Sequence, residues 1–193
     1  MSKRIALLSA VVFSTLAITA SVIAPANAED KKMMKSEMSG EKTVMVGGAA
    51  MFPSKNIIQN AVNSKDHTTL VAAVKAAGLV TTLEGKGPFT VFAPTNAAFG
   101  KLPAGTVDNL VKPENKATLT KILTYHVVPG KLEASALTDG KKLKTVEGEN
   151  LTVKRSGDTV MIIDAKGDSS TVTIANVNQS NGVIHVVDTV LMP

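Results

Sequence analysis

The hydrophobic period of this chain changes at Pro129-Gly130, and that switch limits the fold more than any other feature. Before it, apolar residues recur at helical spacing: Ile57, Ile58, Ala61 and Val62, then Leu70, Ala73, Val74 and Ala77, then Leu119, Ile122 and Leu123. After it they alternate, in Leu151 and Val153, in Val160 and Ile162, and in the run from Thr171 to Ala175. Helices gathered early and strands gathered late do not interleave as a doubly wound sheet requires. The pattern predicts an α+β domain.

Local signals punctuate these segments. Ser54 is placed to cap the first helix and Asp66 the second, with Gly78 where the second should stop. Gly87-Pro88 breaks the chain before a short buried strand, Phe89, Val91 and Phe92, which Pro94 ends. Thr95 or Asn96 can cap a short helix carrying Ala97, Ala98 and Phe99, and Pro103 opens another turn through Val107, Leu110 and Val111. Asn115 to Tyr125 forms the last helix. Ser156-Gly157-Asp158 then turns one hairpin, and Asn181-Gly182 leads into a final strand, Val183 to Val187.

The N-terminus carries a different message. Ser2-Lys3-Arg4, the apolar run Ile5 to Ile23 and Ala26-Asn27-Ala28 together describe a secretory signal peptide over residues 1–28. A membrane-anchor reading of the same run is opposed by its five Ser and Thr residues and by the cleavage site that follows. Residues 29–52 read as a flexible, methionine-rich leader, with Met33, Met34, Met38 and Met45, and residues 53–193 as the folded domain. Thioether clusters suit Cu(I), but no histidine joins these methionines. The expected location is secreted or periplasmic, with no stable membrane insertion once the signal is removed.

Composition excludes several kinds of chemistry. The chain has no cysteine, so disulfides, thiol catalysis and a lipid-modified cysteine are impossible. Loss of Lys3 and Arg4 takes the formal charge from +5 to +3, and Arg155 is then the only arginine, so nucleic acid is not an expected partner. No nucleophile elbow, phosphate loop or zinc-binding helix is present. Glu147, Glu149, Asp158, Asp164 and Asp168 lack calcium-loop spacing and read as solvated loop residues. His67, His126 and His185 stand at a helix start, a helix end and in a strand, where ordinary capping and core contacts explain them better than zinc. We therefore expect no enzyme, no cofactor and no metal site. Asn150-Leu-Thr152 and Asn178-Gln-Ser180 match the glycosylation triplet and mark exposed turns at most.

Three segments carry a family resemblance. The run from Phe89 through Thr90, Phe92, Ala93, Pro94, Thr95 and Asn96 to Phe99, the central Leu123-Thr-Tyr-His-Val-Val128, and Asn181-Gly182 through His185 to Leu191 resemble the two conserved boxes and the Tyr-His motif of fasciclin domains. The resemblance runs from about Asn56 to Pro193 and is closest to small secreted bacterial members. It implies helices packed against a twisted, wedge-shaped β-sandwich, and a non-enzymatic adhesion or cell-surface interaction role as a monomer. The implied partner is a cell-surface or matrix protein or a polysaccharide. Tyr125, His126 and Asp188 match positions of the binding region, although Thr189 follows Asp188 where animal members carry isoleucine. A second function class is a carrier of a small apolar, carotenoid-like ligand between helices and sheet, which the scarcity of aromatic side chains weakens.

Helical counting separates the central pair. From Leu119, Ile122 and Leu123, His126 falls on the centre of the apolar stripe and Tyr125 about 110° to one side. His126 is thus expected to be buried and hydrogen-bonded, and Tyr125 to lie at the edge with its hydroxyl near solvent. On that basis His126→Ala should cost more stability than Tyr125→Ala.

Overall fold

The structure, a computed structural model, describes residues 42–193. The signal-peptide reading and the copper reading of Met33, Met34 and Met38 lie outside it, whereas Met45 lies inside and is exposed. The described chain opens with a small hairpin, β1 (Val44–Val46) and β2 (Ala49–Met51), joined by Gly47 and Gly48 at φ 57° and 75°. Two successive left-handed residues make the turn that matches strand twist, and glycine adopts it without strain. Val46 and Met51 are buried in the main core, so the folded domain begins before Pro53 and takes in the end of the presumed leader.

Helices α1 (Ile57–Ala61), α2 (Thr68–Ala77), α3 (Val80–Glu84), α4 (Asn96–Gly100), α5 (Thr106–Leu110) and α6 (Lys116–Tyr125) follow, with β3 (Phe89–Pro94) between α3 and α4. Asn56, not Ser54, caps α1, in a reciprocal box with Gln59. Asp66 does not cap α2. Instead a 3-10 turn, Lys65–His67, precedes the helix, and its Thr69 N–H donates to the Asn96 side chain from another element. Gly78 ends α2 in the left-handed conformation, as its position predicts.

Strands β4 (Val127–Pro129), β5 (Lys142–Lys144), β6 (Asn150–Ser156), β7 (Thr159–Ile163), β8 (Ser169–Gln179) and β9 (Gly182–Val187) complete one seven-stranded sheet with β3. Its order is β4-β3-β9-β8-β7-β6-β5, antiparallel except for the parallel pair β3 and β9. The Val146 N–H donates to the Val127 carbonyl and draws the two ends of the sheet together. At the start of the parallel pair Gly182 runs so close to β3 that a Cβ would overlap the Phe89 carbonyl, which explains a small residue there.

Two apolar cores flank this pair. The first holds Leu70, Val74, Leu119, Ile122 and Leu123 from the helices against Val91, Ala93, Ile184 and Val186. The second lies inside the curled sheet and holds Phe92, Val187, Leu143, Leu151, Val153, Val160 and Ile162. Successive residues of β3 and β9 therefore enter different cores, and both strands read as unbroken apolar runs. This is the expected α+β arrangement, with helices on one side of a sheet that folds over itself.

Candidate functional site

The Tyr-His pair sits where α6 passes into β4, between the two cores. His126 Nδ1–H donates to the Ile122 carbonyl at 2.8 Å, and His126 Nε2 accepts the Leu191 N–H at 3.0 Å. A carbonyl only accepts and an amide only donates, so these partners select the neutral ring with its proton on Nδ1. Burial pushes the His126 pKa down to about 4, against a smaller opposing pull from the Ile122 carbonyl and Asp164. The residue latches the helix end to the C-terminal segment.

Tyr125 departs from expectation. Its side chain is fully buried, in the second core rather than at a solvent edge, and its hydroxyl accepts the Ala165 N–H at 2.8 Å. Burial raises its pKa, opposed by that amide. The expectation assumed that α6 has one buried stripe. At its C-terminal end the helix instead lies against both cores, and residues about 110° apart are buried in different ones.

The other motif residues also turn inward. Thr90 donates to the Gly130 carbonyl at 2.6 Å and accepts the Leu132 N–H at 2.8 Å. Asn96 accepts the Thr69 N–H and donates to the Lys65 carbonyl at 2.8 Å, while Thr95 caps α4. Asn181 accepts the Ile57 N–H and donates to the carbonyls of Leu83 and Gly85, tying three segments with one amide. His185 Nε2–H donates to the Leu132 carbonyl at 2.7 Å and its ring stacks on Phe92, 5.7 Å between centroids. Phe92, Ala93, Pro94 and Phe99 are buried and Phe89 half-buried. Each polar side chain serves backbone that no ladder satisfies.

Asp188 alone among the candidate binding residues reaches solvent, at 39% side-chain exposure. It accepts the Thr171 N–H at 2.8 Å and the Thr189 hydroxyl at 3.1 Å, and pairs with Lys101 at 3.5 Å. Partial burial pushes its pKa up, but these donors outweigh it and hold the carboxyl below its ordinary value. Lys101 was not singled out by sequence, since nothing in the spacing announces its hydrogen bond to the Thr189 hydroxyl 88 positions away. Asp188 is not near Tyr125 and His126 as one surface, because neither of those reaches the surface.

An apolar cavity of about 40 Å³ lies between helices and sheet, lined by Val46, Met51, Leu70, Val74, Val91 and Ile184 among others. His67 borders it. Its Nδ1 lies 2.9 Å from the Ser64 hydroxyl, and its Nε2 has no hydrogen-bond partner among the described residues. Burial lowers its pKa, opposed by the nearby Ala93 carbonyl and Asp66. Among the described residues no group of His, Asp and Glu is arranged to hold a metal ion, and no helix is long and apolar enough to cross a membrane.

The comparisons with known proteins agree with this geometry. A family model described as the fasciclin domain matches residues 65–193. Protein sll1483 of Synechocystis is 50% identical over 153 residues, covering 79% of this chain and 82% of that protein. Immunogenic protein MPB70 of Mycobacterium bovis is 39% identical over 138 residues, covering 69% and 66% respectively. Cell surface glycolipoprotein MPB83 of the same species is 40% identical over 153 residues, covering 77% and 64%. A solved FAS1 domain pair from the insect cell adhesion molecule Fasciclin I superposes with a TM-score of 0.65 at 18% identity, over 74% of this chain and 52% of that one.

Proposed function

Since the chain belongs to the fasciclin domain family, we propose that it is a secreted, non-catalytic module that binds another component of the cell surface or matrix. The observation that carries this reading is the fate of the motif side chains. Thr90, Asn96, His126, Asn181 and His185 all hydrogen-bond to the chain itself, so the most chemical residues of the domain build a scaffold. Recognition is then left to the outer surface. Cell-surface and cell-adhesion molecules among the similar proteins support the same role and an extracytoplasmic location.

The carrier reading gains nothing from the interior. A cavity of about 40 Å³ is far smaller than the several hundred Å³ usual for organic ligands, and its walls are core side chains. Purified protein should sediment with envelopes of its host at low salt and be released as salt rises, because exposed charges are screened. Absence of retention at low salt, together with a visible absorption band that organic solvent extracts, would replace the binding-module reading with the carrier.

A further inference from the structure

We propose that the outer face of strands β5 to β8 is the recognition surface, and that it binds a linear, carboxylate-bearing polysaccharide. The inference rests on the binding-module reading and names its surface and partner.

The face follows from strand register. Leu143, Leu151, Val153, Val160 and Ile162 enter the second core, so the residues alternating with them point outward. One outward row runs Lys142, Thr152, Ile163 and Ser169, and a second runs Lys154, Met161 and Thr171. Lys144 and Asn150 form the adjoining corner. Three lysines thus occupy the β5–β6 half, and hydroxyl and aliphatic side chains the β7–β8 half.

These lysines are free. Lys142, Lys144 and Lys154 are exposed, and the four ion pairs among the described residues use Lys101, Lys121 and Lys131 instead. Carboxylates stand at the rim: Glu147 and Glu149, which Lys121 holds, Asp158 and Asp168 at strand ends, and Asp188, which accepts the Thr171 N–H at the β8 border and is paired with Lys101. Lysines on an edge strand also discourage strand pairing, which accounts for Lys142 and Lys144. It does not account for Lys154, on the interior strand β6.

The shape and chemistry select the partner. Four strands at about 4.8 Å spacing give a face roughly 15 Å wide, suited to an extended polymer rather than a pocketed ligand. Carboxylates along such a polymer would meet the lysines, while sugar hydroxyls and ring faces would meet Thr152, Thr171, Met161 and Ile163. The face has no aromatic side chain to stack nucleobases and no arginine or aromatic anchor of the kind that dominates protein interfaces.

The test compares the intact protein with a Lys142→Gln/Lys144→Gln/Lys154→Gln variant and with a Lys75→Gln/Lys112→Gln/Lys116→Gln control of equal charge. Binding to immobilised polygalacturonate, to neutral dextran and to envelopes is measured at low and high salt, alongside melting temperature. The face variant should lose about tenfold in affinity for polygalacturonate, as expected of three exposed charge contacts, with its melting unchanged. The control should keep its affinity, and dextran should retain neither. Equal losses in both variants, an unaffected face variant, or tighter binding to polyglutamate than to polygalacturonate would each overturn the assignment. Envelope binding that survives in the face variant would reject this face and leave the module reading standing, whereas wild-type protein that ignores envelopes altogether would reject the module itself.

Discussion

Tyr125 fills the second core, and its removal should be the most damaging single truncation in the Tyr-His motif. Taking a fully buried aromatic ring to alanine costs about 3–5 kcal/mol. Tyr125→Phe keeps the ring but deprives the Ala165 N–H of its acceptor and the Asn150 carbonyl of a long hydrogen bond, for a loss of about 1–2 kcal/mol. His126→Ala leaves the Leu191 N–H unpaired and opens a smaller void, for about 2–3 kcal/mol. The order Tyr125→Ala, His126→Ala, Tyr125→Phe reverses the ranking that helical counting suggests. Denaturant unfolding of the three variants checks it, and a His126→Ala loss larger than that of Tyr125→Ala would restore the solvent-edge placement. The position of His126 was legible because one stripe of α6 defines it. That of Tyr125 was not, because the second core is assembled from strands that come later in the chain.

At the level of elements, the hairpin β1–β2 belongs to the fold rather than to a leader. Val46 and Met51 are each 3% exposed, and burying a side chain of that size contributes about 1.5–3 kcal/mol. A chain beginning at Pro53 should therefore be less stable by about 3–5 kcal/mol than one beginning at Lys42, measured by thermal or denaturant melting. Equal stability would return residues 42–52 to the leader. The signal was present in Val44, Val46 and the Gly47-Gly48 turn, but two glycines beside a charged segment also describe a linker, and three-residue strands are too short for alternation to decide. Helices α2 and α6 were readable because several turns repeat one stripe. The parallel pairing of β3 with β9 was not, since the two strands carry no mark of each other and meet only through the long intervening chain. Asn96 shows the same limit at one residue: its polar character suggested a cap, and the helix whose Thr69 N–H it satisfies is a different one from its own.

The whole molecule should be sensitive to mild acid. His67, His126 and His185 are all buried, and burial lowers the pKa of each. A lowered folded-state pKa means that the native state holds the neutral ring while the unfolded chain takes up a proton. The stability this confers is complete above about pH 6.5 and is lost as pH falls toward the folded value, about 4 for His126. For His126 alone the loss between about pH 7 and about pH 5 is about 2 kcal/mol, and the other two rings add to it in the same direction. Asp188 works in a lower window: its carboxyl, held below the ordinary value, gives stability that disappears only once it protonates. Denaturant unfolding should thus show a fall from neutral pH to about pH 5 that shrinks when His126 is replaced by Gln, a side chain that does not titrate. A profile with the same slope in His126→Gln would assign the acid sensitivity to His67 and His185, and a flat wild-type profile would contradict the burial of all three.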